Sequence, residues 1–338
     1  MPWSTRVYAM HSALSLNNPA GQHVRRTATF LRDHPVLTAS LIPILIIIII
    51  ALIAPLLPLT DPNRANLSVR YLPPLSEAYI LGTDRQGNDV VHPERNPDLF
   101  PSSVVERYEP PVRKHYVLGA DSLGRDIVSR LIWGSRVSLM IGIFANVAVV
   151  LISVFFGLLA GYLGGRVDGV IMRLVDIGLA FPGLLLALLI LTVLGPSVIN
   201  MAVAVVLSSV PLNIRFFRGQ VLTVRNAKYV EAARLLGYNN LRIMFREVLP
   251  NVMPLVITVT ALNATSFFIF TAGFSLIGMG LKPPDPDWGT IMSDGLRALY
   301  EAPAVILGPT ILISILAICF NIFGDEVQKI LSPRESQL

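Results

Sequence analysis

Apolar residues in this chain come in long unbroken runs, not in strand-like alternation. A helix crossing roughly 30 Å of hydrocarbon needs about 20 mostly apolar residues. Six stretches meet that demand: 36–59, 137–163, 174–195, 197–214, 251–281 and 303–323. The first contains Leu45-Ile46-Ile47-Ile48-Ile49-Ile50 behind a tail bearing Arg25, Arg26 and Arg32. It is too long, and begins too far from Met1, for a cleaved leader, so an uncleaved span is expected. Gly164-Gly165-Arg166-Val167-Asp168 separates the second and third spans, and Gly195-Pro196 the third and fourth. Between the last two lies 282–302, with Pro283-Pro284-Asp285-Pro286-Asp287-Trp288-Gly289. A proline cluster cannot continue a helix, and Trp288 suits a membrane interface.

Composition agrees with the pattern. The 338 residues are 53% hydrophobic and 14% charged, against about 25% charged in soluble domains; the mean hydropathy is +0.62. The net charge of +5 calls for no nucleic acid, because the basic residues flank apolar runs. Cys319 is the single cysteine and cannot form an internal disulfide. His11, His23, His34, His92 and His115 are scattered, with no metal-ligand spacing and no cofactor motif. The expected fold class is all-α, a six-helix polytopic membrane protein.

Arginine placement orients the spans. Residues 215–249 hold Arg215, Arg218, Arg225, Lys228, Arg234, Arg242 and Arg246 against Glu231 and Glu247. The 282–302 segment leans acidic, with Asp285, Asp287, Asp294 and Glu301 against Lys282 and Arg297. Lys/Arg bias in short loops marks the cytoplasmic side. The expected division is therefore a cytoplasmic tail 1–35, a first span 36–59, an extracytoplasmic segment 60–136, a five-helix core 137–323 with the cytoplasmic loop 215–249, and a cytoplasmic tail 324–338. Residues 60–117 read as an elaborated surface loop or small lid. Two similar decapeptides, 81–90 and 118–127, flank its centre; their aspartates lack the ligand density of a Ca²⁺ loop.

The 215–250 segment is the most informative. Ala227 to Leu236 is helix-forming, with Val230, Ala233 and Leu236 on one stripe. Gly237 can end that helix in the left-handed C′ position. Asn240 can cap a second helix carrying Leu241, Ile243, Met244 and Val248. Such a helix–Gly–helix unit suits either a groove on a soluble partner or a bed of anionic lipid headgroups, and the residues alone leave both open.

Glu231-Ala232-Ala233, then Gly237 after three intervening residues, then Leu249-Pro250 at the next membrane entry, resembles the EAA motif of bacterial ABC-importer permeases. A second signature, Leu118-Gly119-Ala120-Asp121-Ser122-Leu123-Gly124-Arg125-Asp126 running on to Gly134-Ser135-Arg136-Val137-Ser138-Leu139, is similar to that of the C-type permease of peptide and nickel importers (OppC/DppC type). Ala120 stands where that pattern has Thr. Residues 171–183, 283–289 and 320–325 also look typical of it. The resemblance covers most of 118–334, and the segment before it is longer than the family leads one to expect.

The resemblance implies a type I ABC-importer transmembrane domain (MetI-like), a five-span core behind one peripheral span. It implies a bacterial inner-membrane subunit, both termini cytoplasmic, paired with a B-type permease, two ATPase subunits and an extracytoplasmic substrate-binding protein. The cargo would be di- or oligopeptides, with nickel, glutathione or oligosaccharides as alternatives. Glu231 would organise the coupling loop by hydrogen bonds, Ala232 and Ala233 would allow close approach, and Gly237 would make the turn, with Leu249 and Pro250 completing the docking set. The chain has no phosphate loop, so ATP hydrolysis falls to a partner and no catalytic residue is expected here.

Polar residues inside spans are candidate pathway positions: Asn146, Asp176, Asn213, Asn263 and Ser266. Asn263 and Ser266 share a helical face near mid-span, although helix–helix hydrogen bonding explains them as well. Asp176 is placed to pair with Arg173, and Gly157 with Gly161 suggests close helix packing. A secondary transporter needs more intramembrane ionisable groups than these spans carry. An intramembrane enzyme needs a nucleophile–base or metal set, which the spans lack.

Overall fold

The structure, a computed structural model, describes residues 32–85, 89–94, 104, 106–281 and 286–331. Arg25, Arg26, Pro97, Pro101, Lys282, Pro283, Pro284 and Asp285 lie outside these residues, as does most of the 324–338 tail.

Helix α1 (Pro35–Ile53) opens with Pro35 at its first turn, where a missing N–H costs nothing, and packs against the last helix. Helix α2 (Ile127–Leu163) is capped by Asp126, whose carboxylate accepts from the Val128 N–H at 2.9 Å. At 1.5 Å per residue its 37 residues run about 55 Å, well beyond the hydrocarbon thickness. The span expected over 137–163 thus begins ten residues earlier, at Ile127, since no proline interrupts the chain between Ile127 and Leu163.

The expected 174–195 span is a broken pair, α3 (Gly165–Leu179) and α4 (Gly183–Leu194), bent by 81°. Pro182 holds an extended conformation at the break and cannot donate to the preceding turn. Helix α5 (Val198–Val224), capped by Ser197, continues well past the expected end at 214. Two short helices follow, α6 (Lys228–Leu235) and α7 (Asn240–Ile243), then a π-turn (Met244–Val248) leading straight into α8 (Leu249–Leu276). Helix α9 (Trp288–Arg297) and helix α10 (Ala304–Leu331) complete the chain.

Helices α2 and α5 form the most intimate pair. A Cβ at Gly157 would lie 2.8 Å from the Phe217 Cβ, and one at Gly161 2.7 Å from the Val221 Cβ. Without those side chains the backbones close up, as small residues allow between membrane helices. The expected role of Gly157 and Gly161 is what the structure has.

The described part of the 60–117 segment is more ordered than a loop. Strands β1 (Ser76–Thr83), β2 (Asp89–His92) and β3 (Glu106–Tyr116) form an antiparallel sheet in the order β2-β1-β3. Val69, Ala78, Val91, Tyr116 and Ala120 form its core. Decapeptide 81–90 spans the β1–β2 connection, whereas 118–127 is the turn entering α2. The fold is therefore helical with one small sheet on the face carrying the α2 N-terminus.

Two expectations about the acidic 282–302 segment are also revised. It holds a true helix: Asp287 caps α9 by accepting from Gly289 and Thr290 N–H groups, and the Thr290 hydroxyl completes a capping box. Trp288 does not sit at a lipid interface but is buried, donating Nε1–H to the Leu131 carbonyl at 3.1 Å, while its backbone N–H reaches Ser138 Oγ at 3.0 Å. A buried indole takes such partners because its N–H must be satisfied.

Candidate functional site

The helix–Gly–helix unit is built as the sequence suggests, with corrections of detail. Helix α6 ends at Gly237, φ +78°. There the Tyr238 N–H donates to the Ala233 carbonyl (3.1 Å) and the Gly237 N–H to the Arg234 carbonyl (3.0 Å). This is a Schellman closure, which selects glycine at C′. The cap of α7 is Asn239, one residue before the expected Asn240, its side chain accepting from the Arg242 N–H at 2.8 Å.

Burial divides the unit into an underside and a tip. Val230, Ala233, Ile243, Met244 and Val248 pack against Leu158 and Tyr162 of α2 and Val221 of α5. Leu236 and Leu241, expected on the apolar stripe, instead point away from it and are 72% and 62% exposed; Leu235 is 90% exposed. The reason is geometric: helix α6 is only eight residues long, and the Gly237 turn swings its last turn off the core. Three bare leucines crown the unit, whose Arg234, Arg242 and Arg246 are exposed as well.

The underside is tied down by polar contacts. Arg225 donates to the Gly161 carbonyl (3.1 Å), Arg234 to the Arg225 carbonyl (3.3 Å), and Tyr162 Oη to Asn240 Oδ1 (3.3 Å). Arg242 lies 3.9 Å over the Tyr238 ring. Beyond the unit, Arg218 grips Asp168 of α3 through two hydrogen bonds (2.5 and 2.6 Å), and Arg215 binds Asp176. The Arg173–Asp176 pairing expected from sequence is thus replaced by an interhelical one.

Of the six docking candidates, Glu231 and Ala232 are exposed, Ala233 is buried, Gly237 makes the turn, Leu249 is half-buried and Pro250 exposed. The hydrogen bonds implied for Glu231 are absent: its carboxylate has no hydrogen bond or ion pair among the described residues, and faces outward. Pro250 follows the π-turn, in which the Leu249 N–H reaches back to Met244. Proline has no N–H to bond Arg246, and the widened turn accommodates that loss.

Asn263 Nδ2 donates to Asn213 Oδ1 at 2.9 Å, joining α8 to α5, while the Ser266 hydroxyl bonds its own helix at Leu262 (3.3 Å) from an exposed position. Asn146 donates to the Thr260 carbonyl at 2.8 Å. These contacts hold helices together at mid-span.

Sequence reasoning missed a buried charge cluster on the sheet-bearing face. Asp121 accepts from Arg125 Nε (2.7 Å), Arg130 Nη1 (2.6 Å) and the N–H groups of Leu123 and Arg125. Asp294 of α9 meets the same two arginines at 3.1 and 3.2 Å. The Asp121–Arg125 spacing was a legible signal; the link to Asp294, 169 residues from Arg125, was not. Nearby, burial raises the Asp287 carboxyl above its usual range, opposed by its hydrogen bonds with Thr290 and Gly289. Burial likewise raises Asp126, opposed by Lys114, and pushes the Tyr116 phenol up to about 12.

Long apolar helices, one broken span and a rigid loop unit between α5 and α8 define the transmembrane domain of a type I ABC importer. A chain of the inward-facing MetNI methionine ABC transporter shares this fold, with a TM-score of 0.51 over 61% of this chain and 96% of that one, at 17% identity. Residues 153–337 match the model of the binding-protein-dependent transport system inner membrane component. The di/tripeptide transport system permease protein DppC of Pseudomonas aeruginosa is 42% identical over 302 residues, 87% of each chain. The dipeptide transport system permease protein DppC of Haemophilus influenzae is 33% identical over 308 residues, 88% of this chain and 90% of that one. The chain therefore belongs to the family of binding-protein-dependent transport system inner membrane components, as a multi-pass permease of C type.

Proposed function

We propose that this chain forms half of the translocation path of an ATP-driven importer of di- or oligopeptides, with the α6–α7 tip as its coupling handle. The observation that carries the reading is the division of that unit. Leu235, Leu236 and Leu241 are bare, whereas the underside is packed onto α2 and α5. A force on the tip is therefore delivered to the spans. Bare leucines on a unit with exposed arginines fit a cleft on a soluble subunit; lying in headgroups would not need so rigid a seat.

On this reading the N-terminus is cytoplasmic, two ATPase subunits grip paired handles, and a B-type permease supplies the other half of the path. An extracytoplasmic binding protein delivers cargo to the face bearing the sheet. ATP binding closes the ATPases and favours the outward-open state; hydrolysis resets the inward-open one. The coupling is a difference in ligand affinity between two states. Asn263 and Ser266 are pathway candidates, and Glu231, exposed and without an ion pair among the described residues, would meet a cationic group of the ATPase.

Peptide cargo is supported by the Pseudomonas and Haemophilus relatives, a di/tripeptide and a dipeptide transport system permease. Glutathione is the second reading, since the glutathione transport system permease protein GsiD of Pectobacterium atrosepticum is 35% identical over 61% of this chain. Uptake of labelled dipeptides, tripeptides and glutathione in a strain lacking the transporter decides between them. Leu236→Asp should abolish uptake while membrane levels hold; undiminished uptake would refute the handle.

A further inference from the structure

We infer that the groove between α1 and the amino-terminal part of α2 is a binding site for one phospholipid with a primary-ammonium headgroup. The groove encloses about 880 Å³, within the roughly 300–1,000 Å³ of dedicated ligand sites. Its wall is apolar along most of its length, with Ile48 and Leu52 from α1 facing Met140 and Phe144 from α2. Its polar lining consists of Asp61, Asn63 and Arg136.

The depth of the groove matches a lipid. Arg136 is the last charged residue of α2 before an uncharged run that lasts to Arg166. Arg136 therefore marks the headgroup level, and Trp133, one turn earlier, is the interfacial aromatic expected there. Phe144 lies eight residues deeper, about 12 Å down the helix axis. Acyl chain against Met140 and Phe144 and phosphate beside Arg136 is the arrangement the wall dictates.

The polar groups then specify the headgroup. Arg136 rests over the Trp133 ring at 5.4 Å and has no ion pair among the described residues. It offers donors to a phosphate, for which a guanidinium is well shaped. Asp61, exposed, spends one oxygen on the Asn63 N–H at 2.9 Å and keeps the other. One cation and one exposed carboxylate complement a phosphate followed by an –NH₃⁺, as in phosphatidylethanolamine.

Native mass spectrometry of the delipidated, assembled transporter tests this with added dioleoyl phosphatidylethanolamine, phosphatidylcholine and phosphatidylglycerol. Wild type should retain phosphatidylethanolamine several-fold better than either of the others. Asp61→Asn should erase that preference, and Arg136→Gln should weaken all three. Equal retention of the three lipids by wild type and both variants would overturn the site. A photoreactive benzoylphenylalanine at the position of Met140 gives a second readout: a lipid adduct supports the assignment, and an adduct to another permease subunit refutes it. Neither readout depends on cargo or on coupling.

Discussion

Single residues carry much of this structure, and Asp121 is the clearest case. It is buried with Arg125 and Arg130, and Asp294 closes the set. Removing one member of a buried charge set strands the others, a loss of about 3–5 kcal/mol. Asp121→Ala should therefore lower the thermal midpoint of the purified complex sharply, while Glu77→Ala, in an exposed pair with Arg113, should change it little. Glycines give a second contrast. Gly161→Leu collides with Val221 and should cost about 1–3 kcal/mol as overpacking. Gly169→Ala meets nothing within 4 Å in α3 and should stabilise by about 0.5–1 kcal/mol. Thermal unfolding in detergent checks both.

Among elements, α9 makes the testable claim. Its cap Asp287 has a carboxyl raised by burial. A raised folded value means the native state holds the proton more tightly than the unfolded chain does. That contribution is full below the ordinary carboxylate range, near pH 4, and fades as pH rises through the raised value. Asp287→Asn keeps the cap and has no proton to lose, so its thermal midpoint should fall less steeply than wild type from about pH 4 upward. A parallel slope in the two proteins would contradict the assignment. Elements also show what the chain made readable. The long apolar runs marked the five helices long and apolar enough to cross a membrane, because span length depends on composition. The Gly237 turn was readable because only local backbone chemistry selects it. The bend at Pro182 and the α2 start at Ile127 were blurred, since apolar runs do not mark where a helix breaks inside them. The sheet escaped notice because β2 is only four residues long and β3 is highly charged and carries Pro110 and Pro111. The Arg215–Asp176 pair follows from a contact between helices far apart in sequence, which spacing cannot report.

For the whole molecule, the proposed function rests on the α6–α7 tip as its coupling handle. The tip leucines are exposed and the underside is packed onto α2 and α5, so on that proposal a push at the tip is passed to this helix pair. Substitutions at the tip should uncouple transport from ATP hydrolysis without disturbing assembly of the spans, since exposed positions tolerate change within about 0.5 kcal/mol. Site-directed cross-linking is the most direct measurement. Leu236→Cys, in a Cys319→Ser background that removes the single native cysteine, is oxidised against cysteines placed in the ATPase cleft of the assembled transporter. The account predicts a permease–ATPase disulfide whose formation arrests peptide uptake and whose reduction restores it. Ready uptake by the intact complex with no ATPase adduct at this position would contradict it.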